Sequence, residues 1–286
     1  MHVKYKLRKA NGLVTPKGPS FSRAKTIRCD IDGTIIKFKA PKHRESDYSY
    51  KPVLPARAYQ LDEMFFRSNY SEGFNVSDNW KIFKFFESSW AFNGPWFTGT
   101  LANLYMYFDL VKPVNYENED FSLFHPRAFE KIVGDYLTNQ YSTYTNELMG
   151  GKHHYIAPVN WQPLSDYPVV AVRLEVRPDL AVTRGKVRYL IFFPITDKVM
   201  ASILFIPSQL LALSQEELDK RVNRSTMLEL MNNIIDSIEL TLSPEAQAQQ
   251  QAALAGIDDT SLIKNHLPLK WPATPQDNKT KSLQKD

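Results

Sequence analysis

Asp32-Gly33 stands between two runs in which apolar and polar residues alternate, and this pair constrains the chain more than any other feature. Ile27, Cys29 and Ile31 alternate before it; Thr34, Ile36 and Phe38 resume the alternation after it. A two-residue type I′ turn needs positive φ at both central positions, which Asp and Gly tolerate. With these two as the loop, Ile31 faces Thr34, Cys29 faces Ile36 and Ile27 faces Phe38. One face is then consistently apolar, as a half-buried antiparallel pair requires.

The same period-two reasoning extends along the chain. Trp80, Ile82, Phe86, Trp90 and Phe92 share one parity, and Ala102, Leu104, Met106, Phe108 and Leu110 share another across the Asn93-Gly94-Pro95 break. These runs predict a second hairpin whose broad loop presents Trp96 and Phe97. Phe83 and Phe85 fall on the opposite parity, so this hairpin is apolar on both faces. Pro126 opens a helix with Phe129, Ile132, Val133, Tyr136 and Leu137 on one stripe; Gly134 inside it costs about 1 kcal/mol relative to Ala. From Tyr155 to Ile206 the pattern is a meander of strands. Ser214 with Glu217 forms a capping box, and Thr226 with Glu229 gives a second helix start before Leu228, Met231, Ile234, Ile235 and Ile238. One bent helix or two satisfy this pattern, with the break at Asn223-Arg224-Ser225. Pro41 to Pro55 reads as irregular, and Leu54, Ala58, Leu61 and Phe65 recur at the spacing of a short helix.

The expected fold is therefore α+β: an antiparallel sheet of hairpins and a meander, packed with two or three helices. The expected organisation is a flexible basic leader over 1–24, a domain over 25–242 divisible at 25–145 and 146–242, and a mostly disordered polar tail over 243–286. Within that tail, Leu267, Leu269 and Trp271 would dock as a short peptide.

Composition narrows the function. A chain of 286 residues with 43% apolar content builds a core without disulfides. The single Cys29 excludes an internal cystine and a thiolate zinc site. The basic start carries no uninterrupted apolar segment of a secretory signal, and no apolar run is long enough to span a bilayer, so the expected compartment is the cytoplasm. A net charge of +4 and a leader without interleaved aromatics do not point to nucleic acid.

Motifs are few. His153 and His154 are adjacent, so on a strand they point to opposite faces and cannot share a metal. Metalloprotease, nucleophile-elbow and phosphate-loop signatures are absent, and no metal or cofactor is expected. Asp30-Ile31-Asp32-Gly33-Thr34 is similar to the first motif of the haloacid dehalogenase superfamily. That resemblance implies Asp30 as nucleophile toward phosphate, Asp32 as general acid and base, and magnesium on the phosphoryl oxygens. Against it, Arg28 interrupts what should be a buried parallel strand, and the hairpin already accounts for the Asp-Gly pair. The further acidic pair is also poorly supplied by Gly134-Asp135 or Asp258-Asp259.

The order hairpin, helix, meander, C-terminal helix resembles the photosystem II extrinsic oxygen-evolving protein family. The stretch Met231 to Leu242, an apolar helix followed by a Ser-Ile step into extended chain, is similar to the way its members end. The resemblance implies non-catalytic binding of a partner protein, as in type VI secretion chaperones and immunity-like proteins. The expected function is thus a protein-binding module, an immunity protein occluding a cognate toxin, with the phosphohydrolase and a secretion chaperone as alternatives. Trp96, Phe97, Trp90, Phe83 and Phe85 are the candidate partner-binding residues.

Overall fold

The computed structural model describes residues 12–44, 51–61, 79–95, 98–116, 120–211 and 213–272. In chain order its main elements are β1 (Lys25–Ile31), β2 (Thr34–Ala40), β3 (Ala58–Tyr59), β4 (Trp80–Asn93), β5 (Thr100–Pro113), α1 (Pro126–Tyr141), β6 (Thr145–Asn146) and β7 (Lys152–His153). There follow β8 (Tyr155–Pro163), β9 (Val172–Pro178), β10 (Arg188–Pro194), β11 (Met200–Gln209), α2 (Gln215–Arg221), α3 (Ser225–Ile235), β12 (Glu239–Thr241) and α4 (Pro244–Leu254). This is an α+β fold with mainly antiparallel sheets, as the alternation predicts. No helix among the described residues is long and apolar enough to cross a membrane.

The chain divides into two units, each drawn from three separate stretches. The first takes Met1–Phe65, Lys84–Asp109 and Ile203–Pro244; the second takes Phe66–Phe83, Leu110–Ser202 and Glu245–Asp286. This is not the consecutive division at residue 145 expected from sequence, because β4, β5 and β11 each contribute residues to both units.

In the first unit the order of the small sheet is β12-β2-β1-β3. Asp32 and Gly33 have φ of 46° and 81°, and the register pairs Ile31 with Thr34, Cys29 with Ile36 and Ile27 with Phe38. The apolar face formed this way is buried at Cys29, Ile31, Ile36 and Phe38. Phe38 packs edge-on to Phe86 at 5.1 Å and against Phe108 at 5.7 Å, joining the hairpin to β4 and β5. α3 lies on β2 with Met227, Leu230, Met231, Ile234 and Ile235 buried, and the chain then extends into β12, which pairs Leu240 with Ile36. α2 carries the expected capping box at Ser214 and Glu217. α3, by contrast, begins at Ser225 without a side-chain cap, and the Thr226 hydroxyl donates to the Pro16 carbonyl.

Two other expectations fail in this unit. Over the described part of the helix expected from Leu54 to Phe65, up to Leu61, the chain is not helical: Ala58–Tyr59 pairs in parallel with β1, and Leu54 is 67% exposed. The Asp30 and Asp32 amides donate to the Arg57 and Tyr59 carbonyls, so extended chain satisfies the outer edge of β1; Phe65 lies outside the described residues. The leader is fixed from Val14 onward, where Val14 exchanges backbone hydrogen bonds with Arg221 and Asn223, and Lys17 with Asn93.

β4 also carries a charged cluster. The Lys84 ammonium meets Glu87 at 2.5 Å, and burial pushes the Asp109 carboxyl up to about 7, with Lys84 opposing and Glu87 reinforcing the rise. Glu87 Oε1 and Asp109 Oδ1 are shielded and lack a hydrogen-bond partner among the described residues.

In the second unit β8, β9 and β10 pair in sequence, with β8 at the sheet edge. α1 starts at Pro126, capped by the His125 ring, and packs on β8 with Phe129, Ile132, Val133, Tyr136 and Leu137 buried as predicted. After residue 243, where a polar tail is expected, α4 forms and the chain to Pro272 lies against this unit. The Asp197 amide donates to Gln249, and Gln250 donates to the Pro168 carbonyl.

Two glycines give opposite expectations for one substitution. Gly33→Ala forces a positive φ and sets Cβ 3.2 Å from Ser243, and should destabilise by about 1 kcal/mol or more. At Gly134→Ala the new Cβ makes an ordinary 3.9 Å contact with Leu269, so the variant should gain up to about 1 kcal/mol of helix propensity. Urea unfolding of both variants checks the signs. For Asp109 the folded state holds its proton from the ordinary carboxylate range, about 4, up to about 7. Its contribution is therefore complete at low pH and lost as pH rises through about 7. Asp109→Asn should match the wild-type melting temperature at pH 4 and exceed it at pH 8; equal melting temperatures at pH 8 would refute this.

Candidate functional site

The carboxylates of the phosphohydrolase reading do not converge. Asp30 Oδ1 accepts the Gly33 amide at 2.7 Å, closing the turn from within, while Asp32 Oδ2 accepts the Leu61 amide at 2.8 Å. Their strand runs antiparallel to β2, and both groups serve backbone donors. They hold the hairpin and its neighbouring segment in place, and a nucleophile with its acid–base partner is not assembled there. Among the described residues no group of three or more His, Cys, Asp or Glu is placed to hold a metal ion.

The aromatic candidates separate by burial. Trp90 is fully buried and its indole donates to the Pro41 carbonyl at 3.1 Å. Phe85 is fully buried against Phe108, with ring centroids 4.9 Å apart. Both belong to the core of the first unit and are corrected as partner contacts, because an interface residue must reach the partner. Phe83 is half-buried in β4. Trp96 and Phe97 lie outside the described residues.

Exposed apolar side chains collect instead in the second unit, at turns where sequence reasoning placed no site. Leu148 is 98% exposed in the turn joining β6 and β7, with Met149 beside it; Leu180, 67% exposed, sits in the loop after β9. The Asn146 amide group donates to the Val182 carbonyl at 3.3 Å, bringing these two turns side by side. The Asp179 amide donates to the His154 carbonyl, which brings in the start of β8 and the exposed Ile156. Exposed Lys152, Arg177, Arg184 and Lys186 lie on the same strands and loops. The resulting surface is apolar at its centre and mixed in charge around it: Glu147 and Asp179 directly precede the two leucines, and Arg177 pairs with Glu175 at 2.7 Å. A leucine almost wholly in water contributes nothing to a core, and a lone leucine in a loop gives no sign of this in the sequence.

These turns rest on a rigid base. Arg188 of β10 lies 4.6 Å from the Tyr155 ring centre and 5.2 Å from that of Tyr141, and donates to the Tyr155 hydroxyl at 3.0 Å. Tyr155 in turn packs edge-on to Tyr144 at 5.8 Å, and the His154 amide donates to the Tyr144 carbonyl. Burial raises the Tyr141 and Tyr144 hydroxyls above their ordinary range, so Tyr141 stays a neutral face for the guanidinium. His153 turns its Nδ1 to the Ser142 carbonyl at 2.8 Å, a structural contact at the foot of the same hairpin.

Next to this surface, the outer edge of β8 is covered by the chain's own C-terminal segment. The Leu269 amide donates to the Ala157 carbonyl at 2.7 Å, and the Trp271 indole to the Tyr155 carbonyl at 2.6 Å. The His266 ring lies 4.9 Å from that of Trp161. Leu269 and Trp271 thus dock as the sequence suggested, whereas Leu267 stays 80% exposed. A firmer anchor precedes them. Leu262 is buried, and the buried carboxylate of Glu130 takes both the Ile263 amide at 2.5 Å and the Arg127 guanidinium at 2.8 Å.

No family model matches the chain, and no curated protein does. Among solved structures it is similar to a single-residue variant of the protein Mog1, at 10% identity and a TM-score of 0.32, over 77% of this chain and 97% of that one. It is also similar to the Saccharomyces cerevisiae Ran-binding protein Mog1p, at 12% identity and a TM-score of 0.29, over 76% and 95%. The expected kinship with the photosystem II extrinsic protein and its type VI secretion relatives is overturned, since the structures found are Mog1 proteins.

Proposed function

We propose that this chain is a non-catalytic protein-binding module that engages its partner through the apolar turns of the second unit. The observation that carries the reading is the exposure of Leu148 and Leu180 on adjoining turns, held on a tyrosine–arginine base that fixes their position. Fixed apolar side chains with charged groups of both signs beside them suit a partner patch that is apolar at its centre and polar at its edge. The carboxylate pair offered by the sequence is occupied with backbone donors, which favours binding over catalysis. The narrower readings, toxin immunity and secretion chaperoning, drew on a family resemblance that has been overturned and are not carried forward.

Leu148→Asp with Leu180→Asp should leave folding intact, since surface changes away from special features stay within about 0.5 kcal/mol. The double variant should lose a stoichiometric partner captured by the wild type, while the remote surface change Glu216→Ala keeps it. Identical stoichiometric complexes from wild type and double variant would exclude this surface. The supporting base is tested separately. Arg188→Ala should destabilise by about 2 kcal/mol and speed hydrogen exchange at the His154 amide. Arg188→Lys should fall between the two, because an ammonium lacks the planar group that stacks on rings.

A further inference from the structure

We infer that the outer edge of β8 is a recognition groove for an extended, aromatic-bearing peptide of the binding partner, and that Leu269–Trp271 fill it in cis. The inference rests on the protein-binding reading and extends it from the apolar turns to the adjoining strand edge.

An edge strand presents outward carbonyls and amides, and an added extended segment can pair with them while its alternate side chains enter pockets. β8 does this over a short stretch. The Tyr155 and Ala157 carbonyls both point outward and both are taken by the C-terminal segment. Beyond them the pairing of β8 with β9 shifts at Val159, and Asn160 adopts a φ of 50°, which ends the regular edge. Residues 269 and 271 reach the groove while Lys270 between them is exposed, the alternation of an extended peptide.

The segment is lightly held. From Ile263 to Pro272 no residue is buried, and only His266, Leu269 and Trp271 are half-covered. The strong attachments, Leu262 and the Glu130 contact, lie just before it, so the strap can lift while its root stays fixed. The occupant also defines what fits: a backbone donor opposite Ala157, and an aromatic N–H two residues later opposite Tyr155. Ile156, 41% exposed between those two residues, links the groove to the apolar turns, so one partner segment can run from one to the other. A tethered strap competes at an effective concentration that reaches the millimolar range for short tethers, and its presence raises the affinity threshold for any partner.

The test uses a fluorescent peptide with the sequence of residues 264–272 as probe. It is titrated against the full wild-type chain and against the full chain carrying Leu269→Ser and Trp271→Ser. The expected result is at least tenfold tighter binding to the variant, with the gain abolished in a peptide whose Trp is replaced by Ala. Equal affinities, or no binding to the variant when circular dichroism shows it folded, would overturn the proposal. Hydrogen exchange on the wild type provides a readout independent of the variant. The Leu269 amide should exchange by local opening at low denaturant, whereas exchange only through global unfolding would make the segment part of the fold and sink the idea. Peptide exchange together with partner capture insensitive to Leu148→Asp and Leu180→Asp would retain the groove and remove the apolar turns. Loss of capture without peptide exchange would do the reverse.

Discussion

A β-sheet cannot simply stop: its last strand carries unpaired amides and carbonyls that must find partners in water, in other chains or in the same chain. This protein answers with its own irregular segments. In the first unit, Lys17 exchanges two hydrogen bonds with Asn93 of β4, Arg44 donates to Ser89, and Val53 exchanges two with Glu87. The His43 ring accepts the Ser89 amide between these contacts. β3 closes one side of β1, and β12 closes the other side of β2. In the second unit, the C-terminal segment covers β8. Among the described residues, several irregular segments therefore have a definite mechanical task.

That task explains what could be read from sequence. Hairpins and the α1 stripe are encoded by periodicity, because half-burial imposes period two on a strand and period 3.6 on a helix. Hence the Ile27–Phe38 register and the Phe129–Leu137 face agree with expectation residue by residue. An edge cover has no such period. Lys17, Arg44 and Val53 contribute main-chain groups, which every residue possesses, so their side chains carry no signal. Leu54, Ala58 and Leu61 do not form the expected helix for this reason: apolar residues at helical spacing cannot outweigh the open hydrogen bonds of β1. α4 escaped notice from the other side, being rich in Gln and Ala with only Ala246 buried.

The candidate site was legible in one half. Leu267, Leu269 and Trp271 stood out as apolar residues in a polar stretch, and two of them dock. Leu148 and Leu180 did not stand out, since a single leucine in a loop is common and only their juxtaposition is informative. The acidic pair near residue 30 shows the opposite error. Asp30 and Asp32 match a catalytic motif letter by letter, but one oxygen of each carboxylate accepts a backbone N–H, at 2.7 Å and 2.8 Å. The chemistry of a motif depends on what surrounds it, and here β1 turns straight back into the antiparallel β2 with only the two-residue β3 parallel beside it.

The apolar turns and the strap obey one physical logic. Apolar groups exposed on a rigid base bind without ordering cost, which favours affinity, but they also favour unspecific association. An edge strand carries the same liability. Covering the edge with a tethered strap, and setting the leucines beside the charged Glu147, Lys152 and Asp179, limits both hazards while leaving the surface available. A partner must then offer more than apolar area. It must complement the charged rim and supply a segment able to outcompete a tethered rival for the Ala157 and Tyr155 carbonyls. Specificity in such a surface comes from the contacts the chain already makes with itself, because those set the threshold every partner has to exceed.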